Sequence, residues 1–466
     1  MALLPLIVLT ISLQGPQVES LTDFESRLDK TFASSRLPGG GVRAVKDGKV
    51  LFDRAFGVAD IEKKTPASTA MAFEIGSLSK QFTAVAALIL VQEKKLRLEE
   101  KLGEAMPELP LAWQKATIDQ VLHHMSGIPD YEEIAEYDFY NLPRKPQDIF
   151  DQATKKKPDF APGEKFYYSN TGYFIISLII EKRSGMSIGQ FLKRRLFQPL
   201  GMNSTYADEK PSSVKAMTGY HSRTGIRVAQ PPIAWTSTLG AGGIVSTLDD
   251  LVKWDQALYT NNLVKKDLLA KIWTPTKFND GKVNAYGYGW FESRFRGVPE
   301  LNHSGQTNGF TCIYRRYPDQ HFSVWSFTNS YGGGGVFSLA RAVITRFLPE
   351  ANFAVMVASK DNNASSTAGH MEAIKQAVIG KGDLALLAAN MKDFATADRT
   401  VETRKTLQNI LGKSETFQFL RVRQRRTPIG DVIDDYLYRQ VIPNGNQYWT
   451  LGFNRGLLVS LFVEDE

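Results

Sequence analysis

The order of strand-like and helical segments along residues 21–349 is the feature that most constrains the fold. A strand hairpin is predicted at the start of this region, over Gly41–Gly57, because Asp47-Gly48 is a strong turn signal. Helical patterns and loops rich in proline and glycine then dominate residues 112–270. Predicted strands return late, at Tyr286–Phe291, Phe310–Tyr317 and Phe322–Thr328, before a helix over Val336–Phe347. The sequence therefore predicts an α/β fold, in which one sheet takes strands from both ends of the region, helices flank it and a helical insertion interrupts it.

A second, smaller domain is predicted at the C-terminal end, since 466 residues suffice for two or three domains. Pro349 and the polar residues 361–369 indicate a linker, which we assign to residues 350–369. Helices are predicted beyond it, followed by strands: Met371–Ile379, Leu384–Phe394 and Val401–Leu411, then Thr416–Gln424, Val432–Gln440, Gln447–Phe453 and Leu457–Val463. Residues 370–466 are thus expected to form a small α+β domain, separate from residues 21–349.

Residues 1–20 are interpreted as a signal peptide. Leu3–Leu13 is an apolar run of suitable length, and Val18 and Ser20 are the small residues that cleavage near Ser20 requires. No Lys or Arg lies near Met1, so an uncleaved anchor is the alternative. The run is shorter than the ~20 residues of a membrane-spanning helix. We therefore expect a secreted or periplasmic protein with no membrane span in its mature form.

Composition excludes several classes of function. The chain is 43% hydrophobic and 23% charged, which is typical of a globular protein and not of a disordered or fibrous one. Its one cysteine, Cys312, and six scattered histidines favour neither a disulfide nor a metal site, so no cofactor is expected. The net charge of +7 is not accompanied by a nucleic-acid-binding motif, so no nucleic acid partner is expected. No pattern indicates an oligomeric state.

The segment Phe73-Glu-Ile-Gly-Ser77-Leu-Ser-Lys80 carries the sharpest chemical signal. Ser77 and Lys80 are three residues apart and share one face of a helix predicted to begin at Ser77. A serine is a poor nucleophile until a base takes its proton, and Lys80 can be that base if burial lowers its pKa. By itself, however, this string fits a helix-capping serine beside a solvated lysine better.

Two further motifs follow along the chain. Tyr168-Ser-Asn170 places a hydroxyl that can relay a proton two residues before an amide that can bond a substrate. His303-Ser-Gly-Gln306 offers a glycine that lets a substrate backbone approach closely, and then an N–H that can serve an oxyanion. Each of these motifs alone also fits an ordinary turn or strand edge.

Taken in this order, the three motifs resemble those of the serine β-lactamase and penicillin-binding-protein superfamily. Tyr168-Ser-Asn170 stands where class A enzymes have S-D-N, so the chain is most similar to the branch of class C β-lactamases, D-alanyl-D-alanine carboxypeptidases and serine esterases. Residues 122–131 and 242–251 also match this branch, and we interpret both as structural. The resemblance covers about residues 22–349 and implies a β-lactamase/transpeptidase-like antiparallel sheet.

The resemblance also implies which residues carry the reaction. Ser77 would attack a carbonyl and form an acyl-enzyme, while Lys80 and Tyr168 would share the proton transfers. Which of the two is the general base stays open, because two strongly interacting groups titrate together and the proton need not belong to one of them. The N–H groups of Ser77 and Gln306 would form the oxyanion hole.

Substrate binding is assigned to the other motif residues in the same way. The implied substrate-binding residues are Asn170, His303, Ser304 and Gly305. Asn170 would hold the substrate amide. His303 stands where K-T-G has its lysine, and would tune Tyr168 or the substrate carboxylate. A histidine is largely neutral at pH 7, so it would hold a penicillin carboxylate less firmly than a lysine does.

The leading interpretation is an exported serine hydrolase acting on D-amino-acid peptides or small esters and amides, as carboxypeptidases, aminopeptidases and esterases do. A class C-like β-lactamase is one alternative, and a penicillin-binding or sensor protein that stays acylated is another. A pseudo-enzyme is disfavoured because Ser77, Lys80 and Tyr168 are all present. The partner expected is a small-molecule or peptide substrate.

The C-terminal domain resembles the small α+β modules of the nuclear-transport-factor-like group in the order of its elements. Arg421, Arg423 and Arg425 alternate onto one face of a predicted strand. This pattern fits a solvated strand face better than an anion site.

Overall fold

A computed structural model describes residues 19–223, 226–353, 364–380, 383–414, 416–426, 431–442 and 445–465. Most of the predicted signal peptide, residues 1–18, and much of the predicted linker, residues 354–363, lie outside the described residues. Among the residues that are described, no helix is both long enough and apolar enough to cross a membrane.

Fourteen α-helices occur within the described ranges of the chain. They are α1 Leu21–Ser34, α2 Ser79–Gln92, α3 Leu102–Ala105, α4 Ile118–Leu122, α5 Pro146–Ala153, α6 Asn170–Ser184, α7 Ile188–Leu192, α8 Trp235–Thr238, α9 Leu248–Ala257, α10 Lys266–Leu269, α11 Gly335–Phe347, α12 Ala364–Ile379, α13 Ala389–Thr396 and α14 Val401–Leu411. Seven of these helices, α4 to α10, lie within residues 112–270, which agrees with the helical insertion that the sequence predicts.

Seventeen strands occur within the same described ranges. They are β1 Gly39–Lys46, β2 Lys49–Asp60, β3 Thr65–Pro66, β4 Phe73–Glu74, β5 Gly219–Arg223, β6 Ile226–Gln230, β7 Val245–Ser246, β8 Thr276–Lys277, β9 Val283–Asn284, β10 Phe291–Phe295, β11 Val298–Gln306, β12 Thr311–Tyr317, β13 Phe322–Thr328, β14 Phe417–Arg426, β15 Val432–Ile442, β16 Gly445–Asn454 and β17 Leu457–Asp465. Seven of them form the main sheet and four form a C-terminal sheet, while the other six pair in twos.

The main sheet is antiparallel and draws its strands from both ends of the region, as predicted. Its order is β10-β11-β12-β13-β1-β2-β3. The early hairpin joins the late strands through β1 and β13, where Gly40 pairs with Thr328 and Lys46 with Phe322. The predicted turn at Asp47-Gly48 is present, and both residues have positive φ angles. The predicted α/β fold, with helices around one antiparallel sheet that takes strands from both ends of the region, is therefore confirmed.

Helices cover both faces of the main sheet. On one face, α1 and α11 contribute Phe24, Leu28 and Leu339 to a core that also contains Val42 and Val324 from the sheet. On the other face, the helical insertion forms a larger core with sheet residues such as Tyr314 and Trp325. Helix α2 lies within this larger core and is apolar on almost every side, so it is buried all round. That burial carries the lysine near its N-terminus into the protein interior.

One predicted strand is wrong, and three strands of the main sheet, β3, β10 and β11, were not predicted. Tyr286–Phe291 was predicted as a strand, but only an isolated bridge joins its two end residues. Gly289 has φ +81°, and a Cβ there would lie 2.8 Å from the backbone nitrogen of Gln81, so this segment packs against α2 instead of joining the sheet. The longest of these is β11, whose polar sequence lacks the alternation of apolar and polar residues that signals a strand.

The C-terminal region contains three helices followed by an antiparallel sheet in the order β14-β15-β16-β17. Helix α12 begins at Ala364, within the stretch assigned to the linker, and α13 begins at Ala389 and not at Leu384. A separate apolar core, which includes Ile374 and Trp449, joins these helices to the sheet. The likeness to nuclear-transport-factor-like modules and the domain boundaries stay predictions.

A buried ion pair links the main sheet to helix α9. Asp255 accepts hydrogen bonds from Arg316 Nε at 3.0 Å, from Ser323 Oγ at 2.8 Å and from the hydroxyl of Tyr314. The side chains of Asp255 and Arg316 are only 2% and 1% exposed. The guanidinium also lies over the ring of Tyr259, 4.0 Å from its centroid. Removing the carboxylate would leave a buried charge unpaired.

We expect Asp255→Ala to lower the free energy of unfolding by about 3–5 kcal/mol, because Arg316 loses the buried carboxylate with which it is paired. Urea denaturation followed by tryptophan fluorescence measures this change. The matched control is Asp280→Ala, which removes a half-exposed carboxylate paired with Lys282 and should change stability little. An equal loss in the two variants would contradict the prediction.

Candidate active site

Ser77 lies in a short 3₁₀ turn, Gly76–Leu78, that runs directly into helix α2 at Ser79. The sequence predicted that Ser77 itself opens the helix, and the structure places it in the turn just before. The turn depends on Gly76, which has φ +52° and whose added Cβ would lie 2.6 Å from the backbone nitrogen of Gln306. Only a glycine allows this close approach, which brings the backbone of Ser77 next to the end of strand β11.

Lys80 lies in the first turn of α2 and is fully buried. Its Nζ donates hydrogen bonds to Ser77 Oγ at 3.1 Å, to Asn170 Oδ1 at 2.6 Å and to the carbonyl of Ala241 at 2.8 Å. An ammonium has three N–H donors, so these three acceptors satisfy it completely. The predicted pairing of Ser77 with Lys80 is therefore present in the structure, and the lysine is not solvated.

Two opposing effects of its surroundings set the pKa of Lys80. Burial lowers the pKa of Lys80 to about 8, and the carboxylates of Glu132 and Asp130 oppose that shift. Near neutral pH a small fraction of Lys80 is thus neutral and able to accept the proton of Ser77. This is the condition that the sequence argument set for Lys80 to act as a base.

Tyr168 packs against the same ammonium. Lys80 Nζ lies 4.7 Å from the centroid of the Tyr168 ring. The Tyr168 hydroxyl is buried, and no described residue meets both the distance and the angle of a hydrogen bond to it. Burial raises the pKa of Tyr168 well above its usual value, and the nearby Ser77 hydroxyl offsets this only in part. Tyr168 is therefore a neutral phenol, suited to passing a proton between Ser77 and a bound substrate.

Asn170 is the first residue of helix α6, whose N-terminus is capped by the side chain of Ser169. Its Oδ1 accepts from Lys80, and its Nδ2 donates to Asp130 Oδ2 at 2.9 Å. Both ends of the amide are thus engaged inside the protein. The side chain also lines the cavity described below, so it can contact a substrate while it positions Lys80.

His303 lies on strand β11 and is buried and uncharged. Its Nδ1 donates to the carbonyl of Ser304 at 2.6 Å, and its Nε2 accepts from the hydroxyl of Tyr286 at 3.1 Å. Burial, together with the charge of Lys80, lowers the pKa of His303 to about 3. A neutral ring with both nitrogens occupied offers no positive charge to a substrate carboxylate. Its ring lies 5.9 Å from that of Tyr168, between centroids.

Gly305 is required by close packing behind the strand. A Cβ at this position would lie 2.0 Å from the carbonyl oxygen of Ile75, so no other residue fits. Together with Gly76, it lets the Ser77 turn lie directly against Gln306. The two N–H groups predicted to form the oxyanion hole therefore belong to adjacent segments of backbone.

A cavity of about 640 Å³ opens at Ser77. Of the predicted site residues, those that line it are Ser77, Tyr168, Asn170, His303, Ser304 and Gln306. Lys80 lies beneath Ser77, and Gly305 lies behind the strand. The volume is that of a site for a small molecule or the end of a peptide. Within the described ranges, no group of three or more His, Cys, Asp or Glu side chains could hold a metal ion.

Sequence reasoning missed the acidic pair Asp130 and Glu132. Residues 122–131 were interpreted only as structural, yet Asp130 orients Asn170 and Glu132 lines the cavity. Burial and the neighbouring Asp130 raise the pKa of Glu132 to about 7. His124, from the same stretch, accepts a hydrogen bond from the Ser169 N–H at 3.1 Å and packs against Tyr168. The run Asp-Tyr-Glu-Glu at 130–133 was the available signal.

Comparison with known proteins agrees with this geometry. A family model described as Beta-lactamase matches residues 24–378. Penicillin-binding protein 4* of Bacillus subtilis (strain 168) is 32% identical over 323 residues, which cover 65% of this chain and 70% of that protein. The chain belongs to the β-lactamase family, within the superfamily of serine β-lactamases and penicillin-binding proteins. The resemblance drawn from the three motifs is thus confirmed.

Other relatives are similar over part of their length. A D-aminopeptidase of Brucella anthropi is 28% identical over 301 residues, which cover 64% of this chain and 57% of that protein. The D-amino acid amidase from Ochrobactrum anthropi SV3, solved with L-phenylalanine amide, has a TM-score of 0.60 and 27% identity over 69% of this chain and 97% of its own.

The fold likeness extends further along the chain in another solved structure. The octameric penicillin-binding protein homologue from Pyrococcus abyssi has a TM-score of 0.63 at 22% identity, and the match covers 96% of this chain and 99% of that one. At this identity the likeness concerns the fold alone.

We expect acylation of Ser77 to follow the titration of Lys80. Because the pKa of Lys80 is lowered to about 8, the rate of labelling by an uncharged fluorophosphonate should rise about tenfold per pH unit below pH 8 and level off above it. Glu132→Gln should move the midpoint to lower pH, since the Glu132 carboxylate favours the ammonium form. Glu133→Gln, which removes a half-exposed carboxylate next to it, should leave the midpoint in place. A rate that stays flat across this range would contradict the role of Lys80.

Proposed function

We propose that the protein is a serine hydrolase that acts through an acyl-enzyme on Ser77. The observation that carries this proposal is the buried ammonium of Lys80, 3.1 Å from Ser77 Oγ and with its pKa lowered to about 8. A fully buried lysine is rare unless it is paired, and a lysine with a strongly shifted pKa beside a cavity is a candidate functional residue. The likeness to D-aminopeptidases and amidases supports hydrolysis as the reaction.

In the proposed first step, Ser77 Oγ attacks the carbonyl carbon of the substrate and passes its proton to Lys80, directly or through Tyr168. The carbonyl oxygen takes the negative charge and is bound by the N–H groups of Ser77 and Gln306. The intermediate then collapses: the bond to the leaving group breaks, and the leaving amine or alcohol receives the proton. In this proposal Tyr168 delivers that proton, which is supported by the absence of another partner for its hydroxyl among the described residues.

In the second step, a water molecule attacks the acyl-enzyme carbonyl. The water gives its proton to the same Lys80 and Tyr168 pair, and the bond to Ser77 Oγ breaks, which releases the acid and restores the serine hydroxyl. Asn170 holds Lys80 in position throughout, because its amide bonds the ammonium on one side and Asp130 on the other. No cofactor takes part in the proposed reaction.

The proposed substrates are D-amino acid amides and peptides that carry a free α-amino group. Glu132 lines the cavity close to Ser77, and an ionised carboxylate there can accept an α-ammonium. Binding of a cation would lower the raised pKa of Glu132 and so favour its charged form. His303 is neutral, so the site lacks the cation at this position that a penicillin carboxylate would need. A small ester without an amino group would react more slowly.

Penicillin binding is the second candidate, supported by the relative named penicillin-binding protein 4*. In this case Ser77 would open the β-lactam ring and remain acylated. Efficient β-lactamase activity is disfavoured, because it requires the substrate carboxylate to be held firmly and the water to attack quickly. The two candidates share the Ser77 acyl-enzyme and differ in which substrate turns over.

Export is proposed from the apolar run Leu3–Leu13, which lies outside the described residues. The described part of the chain begins at Glu19, and helix α1 is capped at its N-terminus by Ser20. Mass spectrometry of the intact protein recovered from outside the cytoplasm would identify the cleavage point.

We expect Ser77→Ala to abolish hydrolysis of D-alanine p-nitroanilide, with a loss in kcat of roughly 10⁴-fold or more. The exposed Ser34→Ala is the control and should retain full activity. Intact-protein mass spectrometry with benzylpenicillin distinguishes the second candidate: a persistent adduct on the wild type alone indicates penicillin binding, and rapid loss of free penicillin indicates a β-lactamase. Hydrolysis by Ser77→Ala would refute the acyl-enzyme.

We expect Glu132→Gln to lower kcat/KM for D-alanine p-nitroanilide by about 10–100-fold, because the substrate ammonium loses its charged partner. The N-acetylated form of the same substrate should respond little, since it carries no ammonium. Glu133→Gln is the matched control, one residue along the chain and half-exposed. If both substrates lose activity equally, Glu132 acts on Lys80 and does not bind the amino group.

A further inference from the structure

His124 bonds to the residues on both sides of Tyr168. Its backbone carbonyl accepts a hydrogen bond from the N–H of Tyr167 at 2.9 Å. Its side-chain Nδ1 accepts one from the N–H of Ser169 at 3.1 Å, across 45 positions of the sequence. The two bonds hold the backbone immediately before and after Tyr168. One residue from a distant segment therefore fixes the stretch of chain that carries this tyrosine.

The ring of His124 also packs against the ring of Tyr168. Their centroids lie 4.3 Å apart, and the rings of Tyr286 and Tyr173 lie 4.7 Å and 5.1 Å from that of His124. His124 is only 1% exposed, so this packing excludes water from the inner side of the Tyr168 ring. The same residue thus holds Tyr168 through its backbone and through its ring.

His124 makes these contacts as a neutral imidazole. Because Nδ1 accepts a hydrogen bond, the ring proton lies on Nε2. Among the described residues, none meets the distance and the angle of a hydrogen bond to this Nε2. Burial lowers the pKa of His124 well below its usual value, and the charge of Lys80 adds to the shift. A charged ring would also carry a proton on Nδ1 and would lose the bond from Ser169.

The backbone of His124 lies in the left-handed region, at φ +57°. Residues other than glycine seldom adopt this region, although histidine and asparagine do so more often than most. Such a conformation persists only where the surrounding structure fixes it, and it is concentrated at functional sites. An uncommon backbone angle and a buried ring against Tyr168 therefore coincide at one residue.

We propose that His124 is a positioning residue that holds the Tyr168 hydroxyl where it delivers a proton to the leaving group. The inference rests on the proposed function, in which the proton of Ser77 reaches Lys80. The bond from the carbonyl carbon to the leaving nitrogen breaks, that nitrogen takes the proton of the Tyr168 hydroxyl, and Lys80 returns a proton to the tyrosine oxygen. His124 gains and loses no proton. It acts by fixing the ring and the backbone of Tyr168.

Two substrates with different leaving groups test the proposal. The amine of D-alanine p-nitroanilide must be protonated as it leaves, whereas the p-nitrophenolate of D-alanine p-nitrophenyl ester leaves without a proton. His124→Phe keeps an aromatic ring and removes the Nδ1 acceptor. We expect it to lower kcat/KM for the anilide about tenfold more than for the ester, because only the anilide needs a well-placed general acid. Tyr168→Phe should shift the ratio of the two values in the same direction.

Two further variants make the result specific. His124→Asn restores an acceptor for the Ser169 N–H and tolerates the left-handed backbone, so it should recover part of the anilide activity that His124→Phe loses. His321→Phe is the matched control. His321 is also left-handed, at φ +48°, and stacks on Tyr259, but it follows the end of strand β12 that is remote from Gln306. This control should leave the ratio of anilide to ester activity unchanged.

Urea denaturation followed by tryptophan fluorescence shows whether each variant folds, and His124→Met, which also lacks the acceptor, replaces His124→Phe if that variant does not. Equal losses for the anilide and the ester, while Tyr168→Phe changes their ratio, would overturn the role of His124 and leave the proposed function standing. If Tyr168→Phe does not change the ratio, proton delivery by Tyr168 is wrong, and the inference about His124 fails with it.

Discussion

The ammonium of Lys80, buried beneath Ser77, is the interaction on which the rest of the site depends. An unpaired charge in a protein interior costs many kcal/mol, so the fold must supply an acceptor for every donor of that ammonium. It does so from three separate segments: the Ser77 turn, the N-terminus of α6 at Asn170, and the loop carbonyl of Ala241. Each segment is in turn fixed by its own packing. The three segments of the site therefore meet where they supply hydrogen-bond acceptors to the one ammonium of Lys80.

The same low-polarity surroundings set the protonation of the other groups. Burial keeps Tyr168 as a neutral phenol and His303 as a neutral imidazole, while it raises the pKa of Glu132 to about 7. In the part of the chain that the structure describes, the charges that act on Lys80 beneath Ser77 are thus those of two carboxyl groups to one side, Asp130 and Glu132. This distribution favours substrates that bring a positive charge over substrates that bring a negative one. The energetic cost of burying charged groups near Ser77 thus contributes to the substrate preference of the site.

Much of the fold was predictable because the relevant signals are local. The Asp47-Gly48 turn, the apolar run of α2 and the four C-terminal strands all follow from residues that are neighbours in sequence. Strand β11 was not predictable, because its sequence, from Val298 to Gln306, is polar and lacks the alternation of apolar and polar residues. It is a strand because β10 and β12 bond both of its edges. Tyr286–Phe291 fails for the opposite reason: its residues favour a strand, but the segment packs against α2, and its two end residues pair with each other instead of with the sheet.

The sequence by itself determined which residues can carry chemistry: a serine and a lysine three apart, a tyrosine two before an asparagine, and a histidine before a glycine. Their order along the chain was enough to indicate the family. Only the tertiary structure decided their charges, because a pKa depends on burial and on neighbours that are distant in sequence. It also decided that Asp130 and Glu132 face Lys80, and that the ring of His124 packs against Tyr168. These are long-range juxtapositions, and no local pattern of residues encodes them.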